Sequence, residues 1–501
     1  MPLSDHTPPS VNGDGSTASA EPAWTVQKFG GTSVGKFAIN IVDHIVLPSL
    51  AEQKVAVVCS ARSSSSKAEG TTNRLLRAAR DAQNCRSKAY DILVEAVRQE
   101  HIEVAQQQIK SSELRDRLIS DINDECAHVL KILDAAQTLG ETSARCVDKV
   151  ISAGEKLSCR FMAALLQDRG VDSEYVDLSE IIDFTIGNGG LDQAFYDQLA
   201  VNLGARIRAC ESRVPVVTGY FGPVPGGLLD KIGRGYTDLC AALVAVGVNA
   251  KELQVWKEVD GIFTADPRKV PTARLLPAIT PAEAAELTFY GSEVIHPFTM
   301  EQVIRASIPI RIKNVMNPKG SGTKRQRLVC EIQGPKRPTA VTIKHNILVI
   351  NVHSNKRSLS HGFFAGIFSV LDRWRLSIDL ISTSEVHVSM ALHSELPLLN
   401  GIGRDEYQII DEDLRGAIED LRKYGAVDII PEMAILSLVG KQMKNMIGVA
   451  GKMFSTLGEN NVNIEMISQG ASEINISCVI DERDADRAIN ILHTNLFTFL
   501  E

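Results

Sequence analysis

From Trp24 to about Asn314, short apolar runs alternate with longer amphipathic stretches. The runs are Trp24–Phe29, Val55–Ser60, Glu174–Asp177, Val214–Thr218, Leu253–Trp256 and Ile308–Ile312. Val, Ile and Thr recur in them; Trp24–Phe29 and Val214–Thr218 are followed by Gly, and Val55–Ser60 ends at Ser. Runs with little polar alternation suit strands covered on both faces. Separated by helical patterns, they predict an α/β fold with a mostly parallel sheet and helices on both faces. Residues 85–150 break this rhythm. They are polar and helical in period with few Gly or Pro, and predict a helical excursion from the sheet.

The chain then changes character. Residues 317–340 are turn-rich and basic, which marks a linker. Beyond it one pattern occurs twice. Ile347–Val352, an apolar helical stretch Phe363–Leu371, Leu376–Ile381 and Val386–Leu392 form the first copy. Ala434–Val439, Val449–Leu457, Val462–Ile467 and Ile474–Ile480 form the second. Each copy predicts strand, helix, strand, strand, and a further helix follows each (411–424 and 484–494). A duplicated α+β module with antiparallel sheets fits this. The expected organisation is a tail 1–22, a catalytic unit 23–316, a linker 317–340 and two small modules, 341–430 and 431–501.

Composition narrows the class. A chain of 501 residues calls for several cores. Its 44% hydrophobic and 23% charged residues are those of a globular protein, and a net charge of −8 argues against nucleic acid as a partner. Nine cysteines are scattered with no CxxC pair, so neither a disulfide framework nor a structural zinc is expected. Residues 1–22 are rich in Pro, Ser, Gly and Thr and read as a disordered tail. They lack a signal peptide's apolar stretch, and the first Arg is Arg62, unlike a transit peptide. No run is long enough for a membrane helix. Cytoplasm is the expected compartment.

Four segments carry chemistry. Lys28-Phe-Gly-Gly-Thr-Ser-Val-Gly-Lys36 closes the first predicted strand. Its glycines let a phosphate approach the backbone, and the following helix start adds positive potential. Gly30 to Lys36 has the spacing of a P-loop, but Phe37 stands where that motif needs Ser or Thr. Lys28 is therefore the better phosphate-facing cation. Gly233-Arg-Gly-Tyr-Thr-Asp238 precedes an apolar helix; Arg234 offers a planar fork for a carboxylate or phosphate. Asp238 is suited to fixing Lys28, orienting an ammonium or assisting a metal indirectly, and either Thr237 or Asp238 could simply cap the helix. Ser152–Ser158 places Glu155 near a helix start, where a carboxylate is favoured in any case. Trp256–Arg268 contains the turn formers Asp260-Gly and Asp266-Pro, so it forms a loop at a strand end, where open α/β sheets bind ligands. There Phe263 could stack on a base and Arg268 meet a phosphate. His296 is read as a packed core histidine.

Together these segments resemble the aspartate kinases of the amino-acid kinase family. The resemblance rests on Lys28–Ser33, Val58–Ala61, Ser152–Ser158, Gly233–Asp238 and Val259–Arg268, which occur in family order, and runs from Trp24 to the C-terminus. Trp256-Lys-Glu-Val259 and Tyr290–Met300 are similar to the monofunctional fungal form, and the two repeats resemble ferredoxin-like ACT domains. The resemblance implies ATP-dependent phosphorylation of the aspartate side chain, with Mg²⁺ carried by ATP and no metal held by the protein alone. It implies that Lys28 and Asp238 are catalytic, and that Ser60, Thr72, Glu155 and Arg234 surround aspartate. Lys28, Gly30, Gly31, Ser33, Lys257, Glu258, Phe263, Arg268, Glu293 and Val294 would meet ATP. Many bacterial relatives carry Thr-Asp at Lys257-Glu258 and Lys at Glu293. Ser360, Gly362, Asp379, Thr383, Ser384, Glu385 and Gln469 would bind an amino-acid effector, with threonine expected, and the ACT repeats would join copies into a homo-oligomer. The nearest alternatives are a glutamate or N-acetylglutamate kinase and a silent amino-acid sensor; the paired repeats oppose the first, and the retained Lys28 and Arg234 oppose the second.

Overall fold

The computed structural model describes residues 23–63, 69–84, 87–186, 191–289, 297–325, 337–354, 362–393, 399–401, 407–441, 443–470 and 474–497. Its larger sheet holds β1 (Trp24–Phe29), β2 (Lys54–Cys59), β3 (Ser173–Val176), β4 (Val214–Thr218), β5 (Glu252–Lys257), β6 (Ala278–Ile279), β7 (Ile310–Asn314) and β8 (Thr323–Arg325). The order is β3-β4-β2-β1-β5-β7-β8-β6, and every pairing is parallel except β7 with β8. From β1 the chain builds outward through β2, β4 and β3, and on the other side through β5 and β7. The order therefore reverses between β1 and β5, which opens a crevice at the carboxyl ends of these two strands.

β1 lies mid-sheet, and its buried pattern follows from that place. Val26 and Phe29 are fully buried, each worth about 1.5–3 kcal/mol of hydrophobic stabilisation. Gln27 is equally buried; its amide nitrogen donates to Ser49 Oγ at 2.9 Å and to Gln254 Oε1 at 3.1 Å, while its Oε1 has no hydrogen-bond partner among the described residues. The helix Tyr236–Val248, almost wholly apolar, packs against β1, β2 and β5. The expected excursion is built from helices Ala89–Gln108 and Ser112–Leu139, which lead into Ala144–Asp168. Ser111 and Ser143 cap the second and third, and Gly140, at φ 71°, ends the second in the left-handed conformation that glycine tolerates.

The smaller sheet joins β9 (Ala340–Ser354), β10 (Leu380–Thr383), β11 (His387–His393), β14 (Gly425–Val439), β15 (Met466–Ser468) and β16 (Asn475–Asp481) in the antiparallel order β10-β11-β9-β14-β16-β15. Two further strands, β12 (Leu399–Gly401) and β13 (Tyr407–Ile409), form a separate ribbon. The helices Phe363–Arg373 and Glu412–Leu421 cover one half of the six-stranded sheet, and Val449–Glu459 and Ala485–Phe497 cover the other.

The repeats share strands in a way the linear pattern hid. The first half of β9, Ala340–Lys344, pairs with Ile435–Val439; its second half, Ile347–Ser354, pairs with Gly425–Ile430 and Met433. The switch occurs where the register slips, beside Asn346 and Glu432, both left-handed at φ 57° and 55°. The expected divisions at 340/341 and 430/431 thus fall inside single strands, and the module 341–430 is spliced into strands of the other. β8 also carries the larger sheet past the expected limit at residue 316. Its three residues are too short to show alternation.

Candidate active site

Four chain segments meet where β1 ends. Lys28, on the last turn of β1, places its ammonium 2.6 Å from the Asp238 carboxylate at the start of helix Tyr236–Val248. Next, Gly30 caps the helix Gly31–Ile41 with extended backbone and no side-chain cap, leaving the helix's first amides available to an anion. The two glycines do different work. A Cβ on Gly30 would meet nothing within 4 Å, whereas one on Gly31 would stand 2.2 Å from the Ala61 carbonyl oxygen. Gly31 therefore lets the 60–63 segment close over the helix start, and Gly30 faces open space. Ser63 N–H donates to the Gly31 carbonyl at 3.0 Å and Ser60 N–H to that of Phe29 at 3.1 Å, which fixes this closure.

Ser60, Thr72 and Glu155 line one cavity of about 200 Å³, together with Gly31, Tyr236 and Thr237. Glu155 is buried in the middle of helix Ala144–Asp168, two turns in from where a terminal dipole would act. Its carboxylate accepts from the Thr237 hydroxyl at 2.7 Å and from the Tyr220 backbone N–H. Burial raises its pKa from 4.5 to about 7; hydrogen bonds from Thr237, Tyr220 N–H and Tyr236 and the Lys28 charge act in the opposite sense. A buried carboxylate in the cavity wall, with the Lys28 charge acting on it, suits a ligand that brings a positive group to Glu155.

Thr237 was expected only as a helix cap; its hydroxyl instead orients Glu155. Gly219 makes room, since a Cβ there would fall 2.5 Å from Thr237 Cγ2. Tyr236, Tyr220 N–H and Arg62 also belong to this wall and carried no separate signal. Arg62 is buried, with its backbone N–H on Ser158 Oγ at 2.8 Å and its guanidinium beside Glu100 at 3.4 Å.

Among the residues expected to meet ATP, Glu258 follows β5 and accepts from Ser33 Oγ at 2.7 Å, joining the glycine-rich turn to the β5 end across the crevice. Lys257 is the last residue of β5, and its carbonyl accepts from Val315 N–H. Phe263 and Arg268 lie further on, in a hairpin where Phe263 bridges to Leu275. Arg268 forks onto Asp266, with Nη2 2.8 Å from the carboxylate, and is largely exposed. The backbone of Arg234 lies in the turn Gly233–Gly235; its side chain is outside the described residues, as are Glu293, Val294 and His296.

In the smaller sheet, Gly362 (φ 87°) opens helix Phe363–Arg373 and Gly448 (φ 82°) opens Val449–Glu459, so the duplicated modules share a left-handed glycine at the helix entry. Asp379 is mostly buried. One carboxylate oxygen lies 2.7 Å from the Lys344 ammonium, and the other has no hydrogen-bond partner among the described residues. Lys344 in turn lies 5.1 Å from the centre of the Phe289 ring, on a helix of the larger unit. Thr383, Ser384, Glu385 and Gln469 are exposed, and Ser360 lies outside the described residues.

Residues 23–314 match the model of the amino acid kinase family, and residues 436–496 match an ACT domain model. The chain is 54% identical to the aspartokinase of Saccharomyces cerevisiae, over 96% of this chain and 94% of that one. With the aspartokinase of Candida albicans it shares 52% identity over 96% and 91%. It belongs to the aspartokinases. Among solved structures, Escherichia coli aspartokinase III in complex with aspartate and ADP superposes with a TM-score of 0.73 and 27% identity, over 94% of this chain and 99% of that one. A second structure of that enzyme holds lysine and aspartate, at 28% identity and the same TM-score. This aspartokinase is accordingly an ATP-dependent phosphotransferase with a carboxyl acceptor, carrying an ACT regulatory region. Among its described residues no helix is long and apolar enough to cross a membrane.

Proposed function

We propose that this aspartokinase transfers the γ-phosphoryl group of Mg-ATP to the β-carboxylate of L-aspartate in the crevice between β1 and β5, giving 4-phospho-L-aspartate and ADP. The observation that carries this reading is the Lys28–Asp238 pair set beside the buried Glu155. Aspartate's side-chain carboxylate has a reference pKa of about 3.9, so it attacks as an anion and needs no general base. The difficulty is electrostatic: an anion must approach a polyanion while charge spreads over the transferring group. Lys28 answers it as a cation at the phosphate turn, aided by the open helix start at Gly30 and Gly31. Magnesium enters as part of the nucleotide substrate and neutralises phosphate charge there. Glu155 receives the aspartate ammonium, Arg234 its α-carboxylate, and Ser60 and Thr72 close the pocket around it. Glu258 keeps the two crevice walls in register through Ser33, and Phe263, Arg268, Lys257, Glu293 and Val294 serve the nucleotide.

We assign feedback control to the smaller sheet, with threonine as the effector and Asp379 as its ammonium acceptor. Gly362 at the helix entry, Ser360, Thr383, Ser384, Glu385 and Gln469 complete that site, and copies associate through the same region. The catalytic unit is then 23–325 and the regulatory region the strand-sharing pair of modules after it. The enzyme would work in the cytoplasm, in the first step of threonine, methionine and isoleucine synthesis.

Purified protein with Mg-ATP and aspartate should release ADP and yield an aspartyl hydroxamate when hydroxylamine traps the acyl phosphate, and threonine should suppress both. Hydroxamate that ignores threonine but falls with lysine changes the effector. No hydroxamate from folded protein with any acidic amino acid removes the kinase assignment.

A further inference from the structure

We infer that His493, on the C-terminal helix Ala485–Phe497, positions the nucleotide-side hairpin, so that the second ACT module completes the ATP site. This rests on the assignment of Phe263 and Arg268 to the nucleotide.

The hairpin runs from Ile262 to Leu276. Thr264 N–H donates to the Arg274 carbonyl at 2.9 Å and Leu276 N–H to that of Ile262 at 2.8 Å. His493 is fully buried and bridges the two limbs. Its Nε2 lies 2.8 Å from Thr264 Oγ1 and its Nδ1 3.2 Å from Thr272 Oγ1. The proton order is self-consistent. Thr264 Oγ1 accepts from Arg274 N–H at 2.9 Å, so its own hydroxyl proton is available to His493 Nε2. Nδ1–H then donates to Thr272. The network therefore selects a neutral imidazole protonated at Nδ1. Burial and the nearby Arg274 charge also favour the neutral form. The ring stacks on Phe497 with centroids 5.0 Å apart and planes 9° from parallel, which holds its orientation.

The surrounding contacts tie the hairpin to the module as a whole. Val341 N–H, on β9, donates to the Thr264 carbonyl at 2.8 Å, and Asn490 donates to the Lys269 carbonyl at 2.9 Å. Arg274 donates to the Phe497 carbonyl. Ala265 and Val270 are buried in the module's own core. The other side of the hairpin belongs to the catalytic sheet: Thr323 Oγ1, on β8, accepts from Ile262 N–H at 2.9 Å and donates to the Leu276 carbonyl at 2.7 Å. Phe263 stands between these clamps, with Thr323 fixing the residue before it and His493 the residue after. The place of its ring is thus set jointly by a catalytic strand and a regulatory helix, and loss of either clamp frees one side.

The test compares His493→Ala, His493→Gln and Thr264→Val in the full-length protein. It reads KM for ATP, KM for aspartate, affinity for a fluorescent ADP analogue, and the thermal midpoint. His493→Ala and Thr264→Val each lose two hydrogen bonds at the hairpin, which should raise KM for ATP and weaken the analogue roughly tenfold, with KM for aspartate within about twofold. His493→Gln should recover most of this, since its amide oxygen can accept from Thr264. Unchanged nucleotide affinity in folded His493→Ala and Thr264→Val, or an equal rise in both KM values, overturns the inference. If His493→Ala does not fold, unchanged nucleotide affinity in folded Thr264→Val, which also removes the acceptor of Arg274 N–H, still overturns the inference. Wild-type protein that binds the analogue but forms no aspartyl hydroxamate would sink the aspartate assignment, and the analogue affinities would still judge His493.

Discussion

The Lys28 ammonium and the Asp238 carboxylate stand 2.6 Å apart, with side chains only 10% and 14% exposed, and they lock the end of β1 to the start of helix Tyr236–Val248. In the proposed reaction this pair fixes a flexible cation where the transferring phosphate would arrive. Lys28→Ala should lower kcat by about 10²–10³-fold or more, the scale of removing a preorganised electrostatic stabiliser. It should also cost about 3 kcal/mol of stability, because Asp238 loses its cation in a mostly dry site. Circular dichroism should still report the native fold, and near-normal turnover in this variant would remove Lys28 from the chemistry.

Glu155 gives the site a pH signature. Its folded-state pKa, about 7, lies above the ordinary 4.5 because of burial. Between these values the folded protein keeps a proton that the unfolded chain has lost, so stability falls as pH rises through this window and levels off above about 7. The full cost of the charged form is about 3 kcal/mol. Glu155→Gln should flatten this decline in the thermal midpoint between pH 5 and 8. In the wild type, KM for aspartate should fall as pH rises through about 7 and the carboxylate becomes available to the substrate ammonium. The glutamine variant should show no such pH dependence and a KM raised roughly a hundredfold. A wild-type KM that is flat across pH 6–8 would leave the ammonium with some other partner.

Part of this was legible because two of the four chemical motifs, Lys28–Lys36 and Trp256–Arg268, sit at strand ends. The apolar runs located β1, β2, β4 and β5, the glycines after β1 singled out Lys28 and the turn formers after β5 marked the Trp256–Arg268 loop, whereas Ser60 and Glu258 were named by the family resemblance alone. Thr237 was not legible: a threonine ahead of an apolar helix has the form of a cap, and only the fold shows that its hydroxyl turns to Glu155, more than 80 residues earlier. The splicing of β9 with β14 was hidden for another reason. Alternation within a strand says which face is buried but not which partner lies alongside, and of the two left-handed residues beside the slips Asn346 has a left-handed preference but Glu432 has none. The hairpin around Phe263 was placed at a strand end, but its dependence on His493 joins segments some 220 residues apart.

Asp379 carries one committed and one open carboxylate oxygen. Lys344 already neutralises the carboxylate, and the unpartnered oxygen is buried, an arrangement that costs stability unless a ligand supplies a donor. Asp379→Asn should raise the threonine concentration for half-inhibition about tenfold or more, while turnover without threonine stays within about twofold. Lys344→Met should lower the thermal midpoint by exposing Asp379 as an unpaired charge. An inhibition curve unmoved in Asp379→Asn would place the effector elsewhere in the regulatory region.

The neighbouring glycines of the phosphate turn separate packing from binding. A methyl group on Gly31 collides with the Ala61 carbonyl at 2.2 Å, and that oxygen belongs to backbone held in place by Ser60 N–H and Ser63 N–H. Gly31→Ala should therefore push the 60–63 segment outward, at a cost of about 1–3 kcal/mol, and disturb both substrates because this segment lines the aspartate cavity. Gly30 has ordinary backbone angles, φ −72° and ψ 162°, and open space before it. Gly30→Ala should leave the thermal midpoint nearly unchanged, because the fold makes no use of the missing side chain. What it does obstruct is the approach of a phosphate to the helix start, so KM for ATP should rise while KM for aspartate holds. Measuring both midpoints and both KM values in the two variants tests this division. Equal losses of stability would show that the turn is held by packing at both positions, and an unchanged KM for ATP in Gly30→Ala would move the nucleotide's phosphates away from Gly30.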